Sequence, residues 1–237
     1  MKAKLLALAG IASALLWAST ANSATVSLGA APGLVLAPNF VASSGTGALM
    51  FACGPACPAA TWGVFNANQI TATGRDINPL PNILGSTSFQ INAGVGGTLR
   101  VFVTSQGNTD ASNVWISSFT SNSLPTGWSV REQTFIDTAN GLFTVTPGGT
   151  VTQLGNTLFN AIGTSVAAAL APSGNNYSVT HLYTIVATGA GSALSTITLS
   201  TPLPGALPLF ATGLLGLWAL RRKRKAAPAE SLDPVAA

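Results

Sequence analysis

Tyr177-Ser178-Val179-Thr180-His181-Leu182-Tyr183-Thr184-Ile185-Val186-Ala187 is the stretch whose reading decides the fold. Side chains of an extended chain alternate between two faces. Tyr177, Val179, His181, Tyr183, Ile185 and Ala187 therefore share one side, with Ser178, Thr180, Thr184 and Thr188 mostly on the other. An apolar face opposite a hydroxyl face is the pattern of a half-buried antiparallel strand. The same period recurs in Leu99, Val101 and Val103, in Ile197 and Leu199, and in Trp128, Val130, Thr134 and Ile136, with Ser129, Arg131, Gln133 and Asp137 opposite the last set.

Turn chemistry separates these runs. Leu124-Pro125-Thr126-Gly127 carries proline second and glycine fourth, the type I preference. Asn140-Gly141 lies between Thr134–Ile136 and Leu142–Val145 and predicts a hairpin. Pro147-Gly148-Gly149 and Ser173-Gly174-Asn175-Asn176 punctuate further on. The one predicted helical patch is Thr164 to Leu170, through Val166-Ala167-Ala168-Ala169. No internal repeat is present. Short strands with a turn between each pair predict an all-β chain, a single antiparallel β-sandwich of jelly-roll or Ig-like type over residues 25–200.

The two ends read differently. Lys2 and Lys4, the apolar run Leu5 to Trp17, and the small residues Ala18 to Ala24 have the order of a secretory signal peptide, residues 1–24, helical in its apolar part. The expected cleavage falls between residues 21 and 24. Leu203 to Leu220 carries no charge and as a helix spans roughly 27 Å, close to a bilayer's hydrocarbon core. Arg221, Arg222, Lys223, Arg224 and Lys225 follow directly as a stop-transfer cluster, which predicts a transmembrane helix over about 203–220 and a cytoplasmic C-terminus. Residues 226–237 read as a disordered cytoplasmic tail.

Charge narrows the function. Between Lys4 and Arg221 the ionic residues are Arg75, Arg100 and Arg131 against Asp76, Asp110, Glu132 and Asp137, three minus four, a net of minus one. A nucleic-acid partner needs a basic stripe to neutralise phosphates, so no nucleic acid is expected. Cys53 and Cys57 are the only cysteines, and in an oxidising compartment they predict a local disulfide contributing about 2 kcal/mol. A zinc site wants four Cys or His ligands. Only these two cysteines and His181 are available, so no metal and no cofactor is expected.

The catalytic inventory is as thin. His181 is the sole histidine and no G-x-S-x-G accompanies it, so it reads as a hydrogen-bonded strand residue. Glu132 beside Arg131 and Asp137 against a turn read as solvated surface acids rather than a glycosidase pair. Gly94-Val95-Gly96-Gly97 lacks the lysine and following helix of a phosphate loop. No catalytic residue is expected, and no enzyme. Trp62, Trp115 and Trp128, with Tyr177 and Tyr183, would make a stacking platform for sugars only if exposed together, and core packing is the simpler reading.

Within Thr201-Pro202-Leu203-Pro204-Gly205-Ala206-Leu207-Pro208-Leu209-Phe210-Ala211-Thr212-Gly213, Pro202 and Pro204 hold the chain extended, as a protease groove requires. With the basic cluster behind it, this segment, residues 201–225, resembles the PEP-CTERM sorting domain, in the VPLPA variant with leucine between the prolines. The resemblance covers about 25 residues; the chain runs on to Ala237, beyond the usual end of that family. It implies export by the secretion machinery, anchoring in the inner membrane with the domain in the periplasm, and recognition by an exosortase at Pro202, Leu203, Pro204, Gly205 and Ala206. Cleavage then brings the domain to the cell surface or extracellular matrix, in bacteria that make exopolysaccharide. Val101–Thr109, Ser117–Asn122, Leu124–Trp128 and Asn140–Phe143 resemble, more softly, a recurring ectodomain of such proteins to which no activity attaches. The alternative expectation is a carbohydrate-binding module acting on exopolysaccharide; a secreted hydrolase comes last.

Overall fold

The computed structural model describes residues 24–33, 36–52, 61–74 and 82–202, and every regular element among them is a β-strand. The strands are β1 (Thr25–Pro32), β2 (Asn39–Ser44), β3 (Ala48–Ala52), β4 (Thr61–Trp62), β5 (Phe65–Gly74), β6 (Asn82–Ala93), β7 (Gly97–Asn108), β8 (Val114–Ser123), β9 (Ser129–Asp137), β10 (Val151–Phe159), β11 (Gly163–Leu170), β12 (Tyr177–Ala187) and β13 (Gly191–Ser200). One sheet runs β10-β9-β12-β7-β1-β2; the other runs β11-β8-β13-β6-β5-β3, with the short β4 on β5.

All pairings are antiparallel, and the order of the last eight strands resolves the topology. From β6 onward β6, β13, β8 and β11 lie side by side in one sheet, and β7, β12, β9 and β10 lie side by side in the other. That wrapping is a jelly roll, with β1 and β2 widening one sheet and β3 to β5 the other. The core lies between the sheets and includes Val101, Val103, Trp115, Phe119, Tyr177, Tyr183 and Ile197, all fully buried.

The decisive stretch is β12, third of six strands in its sheet. Tyr177 to Ile185 alternate onto the inner face as expected, but Ser178, Thr180 and Leu182 on the other face are buried too. The cause is the segment from Thr138 to Thr150, which folds over the outside of that sheet. Phe143 and Val145 pack there with Ala31, Phe102, Phe135 and Leu182 as a second small core. Phe143 lies against Gly29, where a Cβ would stand 2.8 Å from the ring. The predicted Asn140-Gly141 hairpin is therefore corrected. Asp137 pairs with Val151 across β9 and β10, and Leu142–Val145 is covering loop, not strand. Asn140 still takes positive φ, 57°.

Asp137 pins this cover. Its carboxylate accepts hydrogen bonds from the amides of Ala139 (2.9 Å) and Gly141 (3.1 Å) and from Thr144 Oγ1 (3.0 Å). It is 3% exposed, so the expected solvated acid is a buried anchor. Burial works to raise its pKa, but these donors and Thr150 outweigh burial and hold it below the usual carboxylate value. Asp137→Ala is expected to cost about 2–3 kcal/mol by orphaning those donors. The check is chemical denaturation together with limited proteolysis, where new cuts should fall between residues 138 and 150.

Two further expectations change. Thr164 to Leu170 is not a helix: it lies within β11, whose exposure alternates residue by residue along its pairing with β8. Alanine's helix preference gives way to tertiary pairing. Small residues suit this corner because the two sheets converge here, and a Cβ on Gly155 of β10 would stand 3.2 Å from Ala167 and 2.6 Å from the Phe119 ring. The turn after β8 is shifted by one residue. Trp128 N donates to Pro125 O at 3.1 Å, and Gly127 sits third with φ 82°, the type II requirement for glycine.

The predicted signal peptide apart from Ala24, the Cys53–Cys57 disulfide, Arg75 and Asp76, the sorting residues from Leu203 to Ala206, the span at 203–220, the stop-transfer cluster Arg221 to Lys225 and the tail lie outside the described residues.

Candidate functional site

The inner faces of β9 and β12 place four polar side chains together where a jelly roll is usually apolar. His181 stands opposite Thr134, and Tyr183 opposite Glu132. Period two puts Glu132 and Thr134 on one face of β9, and His181 and Tyr183 on one face of β12. From the facing sheet β6 contributes Ser86, β13 Ser195, and β8 Ser117 and Ser121. All eight are 0–1% exposed.

The polar seam is partly bonded. Ser86 Oγ lies 2.9 Å from His181 Nδ1 and 2.5 Å from Tyr183 Oη, hydrogen-bonded to both. The Tyr183 hydroxyl also donates to Ser86 O at 3.2 Å and accepts from Ile197 N at 3.0 Å, and its ring stacks on Phe89 at 4.0 Å. Glu132 Oε2 accepts the Thr120 amide at 3.1 Å. Among the described residues Glu132 Oε1, Thr134 Oγ1, His181 Nε2 and the hydroxyls of Ser117, Ser121 and Ser195 meet no partner. Ser195 lies near enough to Glu132 to pull its pKa down somewhat, without hydrogen-bond geometry.

Burial sets the charges. It pushes the Glu132 carboxyl up to about 7, against the smaller pull of Ser195 and the Thr120 amide. It holds the His181 imidazole down to about 3. It also raises Tyr183, helped by the neighbouring Glu132 charge. Near neutral pH the seam therefore holds a neutral imidazole, a neutral phenol and a carboxyl near half-protonation. Ser86 and His181 have the spacing of a nucleophile and its base. The acid, however, stands by Tyr183 rather than behind the imidazole, and the sealed core gives a substrate no path to Ser86.

The expectation that Glu132 is a solvated acid is overturned. The alternation that turns His181 inward also turns Glu132 inward, between Val130 and Thr134, so the signal was present in β9. Ser86, Thr134 and Ser195 were missed because serine and threonine are common on both faces of strands.

The three tryptophans do not share a surface. Trp115 is fully buried, donates Nε1–H to Ala171 O at 2.7 Å and meets Tyr177 edge-on at 5.6 Å. Trp128 is 2% exposed and packs beside Gly191. Both rings are core, as is Tyr177, whose hydroxyl donates to Asp110 O, so neither tryptophan offers a face to a sugar. Trp62, 8% exposed, lines a shallow groove of about 320 Å³ at one end of the sandwich with Pro32, Val64, Phe65, Thr98 and several glycines. The groove is apolar and brings in no second tryptophan.

The surfaces also differ in charge. Arg100, Arg131, Glu132 and Asp137 all belong to the sheet containing β12. Among the described residues the other sheet carries no ionisable side chain. Part of its outer face is amide and hydroxyl, with Asn92 donating to Asn66 at 2.9 Å and Asn122 to Thr196 at 3.1 Å. No group of three or more His, Cys, Asp or Glu side chains among the described residues is placed to hold a metal ion.

No protein-family profile matches this chain. No curated protein matches it either. Among solved structures, a study of promiscuous specificity in carbohydrate-binding modules of the β-sandwich superfamily gives a similar chain, at 10% identity and a TM-score of 0.30. The likeness covers 60% of this chain and 57% of that one, so it spans less than two thirds of either.

Proposed function

We propose that this is a non-catalytic exported protein of the cell envelope or extracellular matrix, associated with exopolysaccharide or biofilm. In this reading an exosortase sorts it through the segment resembling a PEP-CTERM domain. The observation that carries the reading is where the sandwich stops. The compact unit that holds the sandwich ends at Thr201, one residue past β13. Thr201 is 6% exposed, whereas Pro202 is exposed. Cleavage around Pro202–Pro204 would thus remove the apolar segment without taking a residue from the sandwich. A protease address buried in a strand would destroy the domain that it released.

The non-catalytic part of the proposal draws on the sealed seam. The carbohydrate-binding alternative loses its tryptophan platform, which leaves it second.

Mass spectrometry of the native protein from an exosortase-positive host is the test. The expected chain begins between residues 22 and 25 and ends before Leu207. Recovery of chains that still carry Leu207 to Lys225 would overturn the sorting proposal.

A further inference from the structure

We propose that β11 pairs with β11 of a second copy, antiparallel across a two-fold axis at Ala168, joining two uncharged sheets into one. β11 ends its sheet, so one of its sides has no strand partner among the described residues. Ala171 N donates to Asn113 O on the β8 side. Counting back by twos, the odd-numbered residues of β11 bond to β8, and Thr164, Val166, Ala168 and Leu170 turn their N–H and C=O groups to the open side. Those same residues point their side chains outward. Val166 is 68% exposed and Leu170 82%.

The devices that normally protect such a side are missing. Edge strands are usually blunted by charge, proline or a bulge. β11 contains no charged residue and no proline, and its register with β8 runs without a shift. Its outward neighbours on β8, Val114 opposite Leu170 and Ile116 opposite Ala168, continue the apolar surface. Ile162, 69% exposed, stands in the turn that leads into β11.

The occupant follows from the backbone and the symmetry. Among protein partners, an extended strand is what pairs a whole row of open amides and carbonyls. With Ala168 on the axis, Val166 faces Leu170 of the second copy, Ala168 faces Ala168, and Leu170 faces Val166. The open backbone groups then meet as hydrogen-bonded pairs, about six bonds in all, and each outward pair is apolar on apolar. Two sheets without ionisable groups approach without like-charge repulsion. Pro172 lacks an N–H and closes the ladder at each end.

The test uses the chain as purified from its host. Sizing with light scattering should give twice the chain mass. In Ala168→Cys, oxidation should yield a peptide linked 168 to 168, identified by mass spectrometry so that Cys53 and Cys57 do not confuse it. Val166→Lys with Leu170→Lys should weaken the dimer by about tenfold or more while the circular dichroism stays that of the wild type. A wild type that is monomeric at all soluble concentrations would sink the proposal. So would a dimer indifferent to the lysines, or one in which the thiol introduced by Ala168→Cys links only to a foreign peptide.

Discussion

Glu132→Gln is expected to match the wild type in stability near pH 4.5 and to exceed it by on the order of 3 kcal/mol above pH 7. The ordinary Glu value is 4.5 and the folded value is about 7. Between them the unfolded chain gives up a proton that the folded chain keeps, so stability falls as pH rises through this window and levels off above it. Glutamine has no proton to lose, and its side-chain oxygen can still accept the Thr120 amide. His181 acts with the opposite sign. Its value drops from 6.5 to about 3 on burial, so the unfolded chain takes up a proton that the folded chain refuses, and stability falls on acidification through that window. Where the windows overlap, from 4.5 to 6.5, the two slopes oppose each other and the wild-type curve is flat. Removing the carboxyl leaves a curve that climbs to 6.5 and stays high. The groups facing Glu132 are Tyr183 and His181 from β12 and uncharged serines from the other sheet, so nothing else there titrates in this range. Urea denaturation at a series of pH values reads the effect. Parallel curves for the two proteins between pH 4.5 and 7 would show that the buried carboxyl does not set it.

Trp115→Ala is expected to cost about 5 kcal/mol, at the top of the range for a fully buried aromatic. The indole fills the core end of β8, meets Tyr177 edge-on, and satisfies the carbonyl of Ala171, which is itself buried. Against a whole-domain stability of about 5–15 kcal/mol this is a third or more. Trp115→Phe should keep most of the packing and lose about 1–2 kcal/mol with the hydrogen bond. The contrast with a sugar platform is direct, because a stacking tryptophan on the surface can be cut to alanine with little loss of stability. Denaturant midpoints decide it, and a change under about 1 kcal/mol for Trp115→Ala would contradict the burial described.

The sandwich was legible because period two is local. Tyr177–Ala187 declared its inner face, as did Leu99–Val103 and Ile197–Leu199, and each of those faces is inward. What was not legible came from contacts distant in sequence. Nothing near β12 announces that Phe143 will lie on Gly29 and bury Ser178, Thr180 and Leu182. Ala167 to Ala169 reads as helix until β8 and β10 constrain it. Glu132 was a matter of habit rather than missing signal, since an acid beside Arg131 invites a surface reading that the alternation contradicts. The seam had no motif to find, because its members come from five strands and only His181 is a rare residue.

The final strand of the domain has a consequence for how the protein is made. β13 sits between β6 and β8, bonded to both. Until Gly191 to Ser200 arrive, its sheet has a gap in the middle, and Phe89, Phe119 and Tyr183 lack a wall. The jelly roll therefore locks only when its last ten residues are in hand. Translation delivers the keystone last, so a chain cut short before it has no finished body to pass on, and completion of the fold coincides with delivery of the segment that follows.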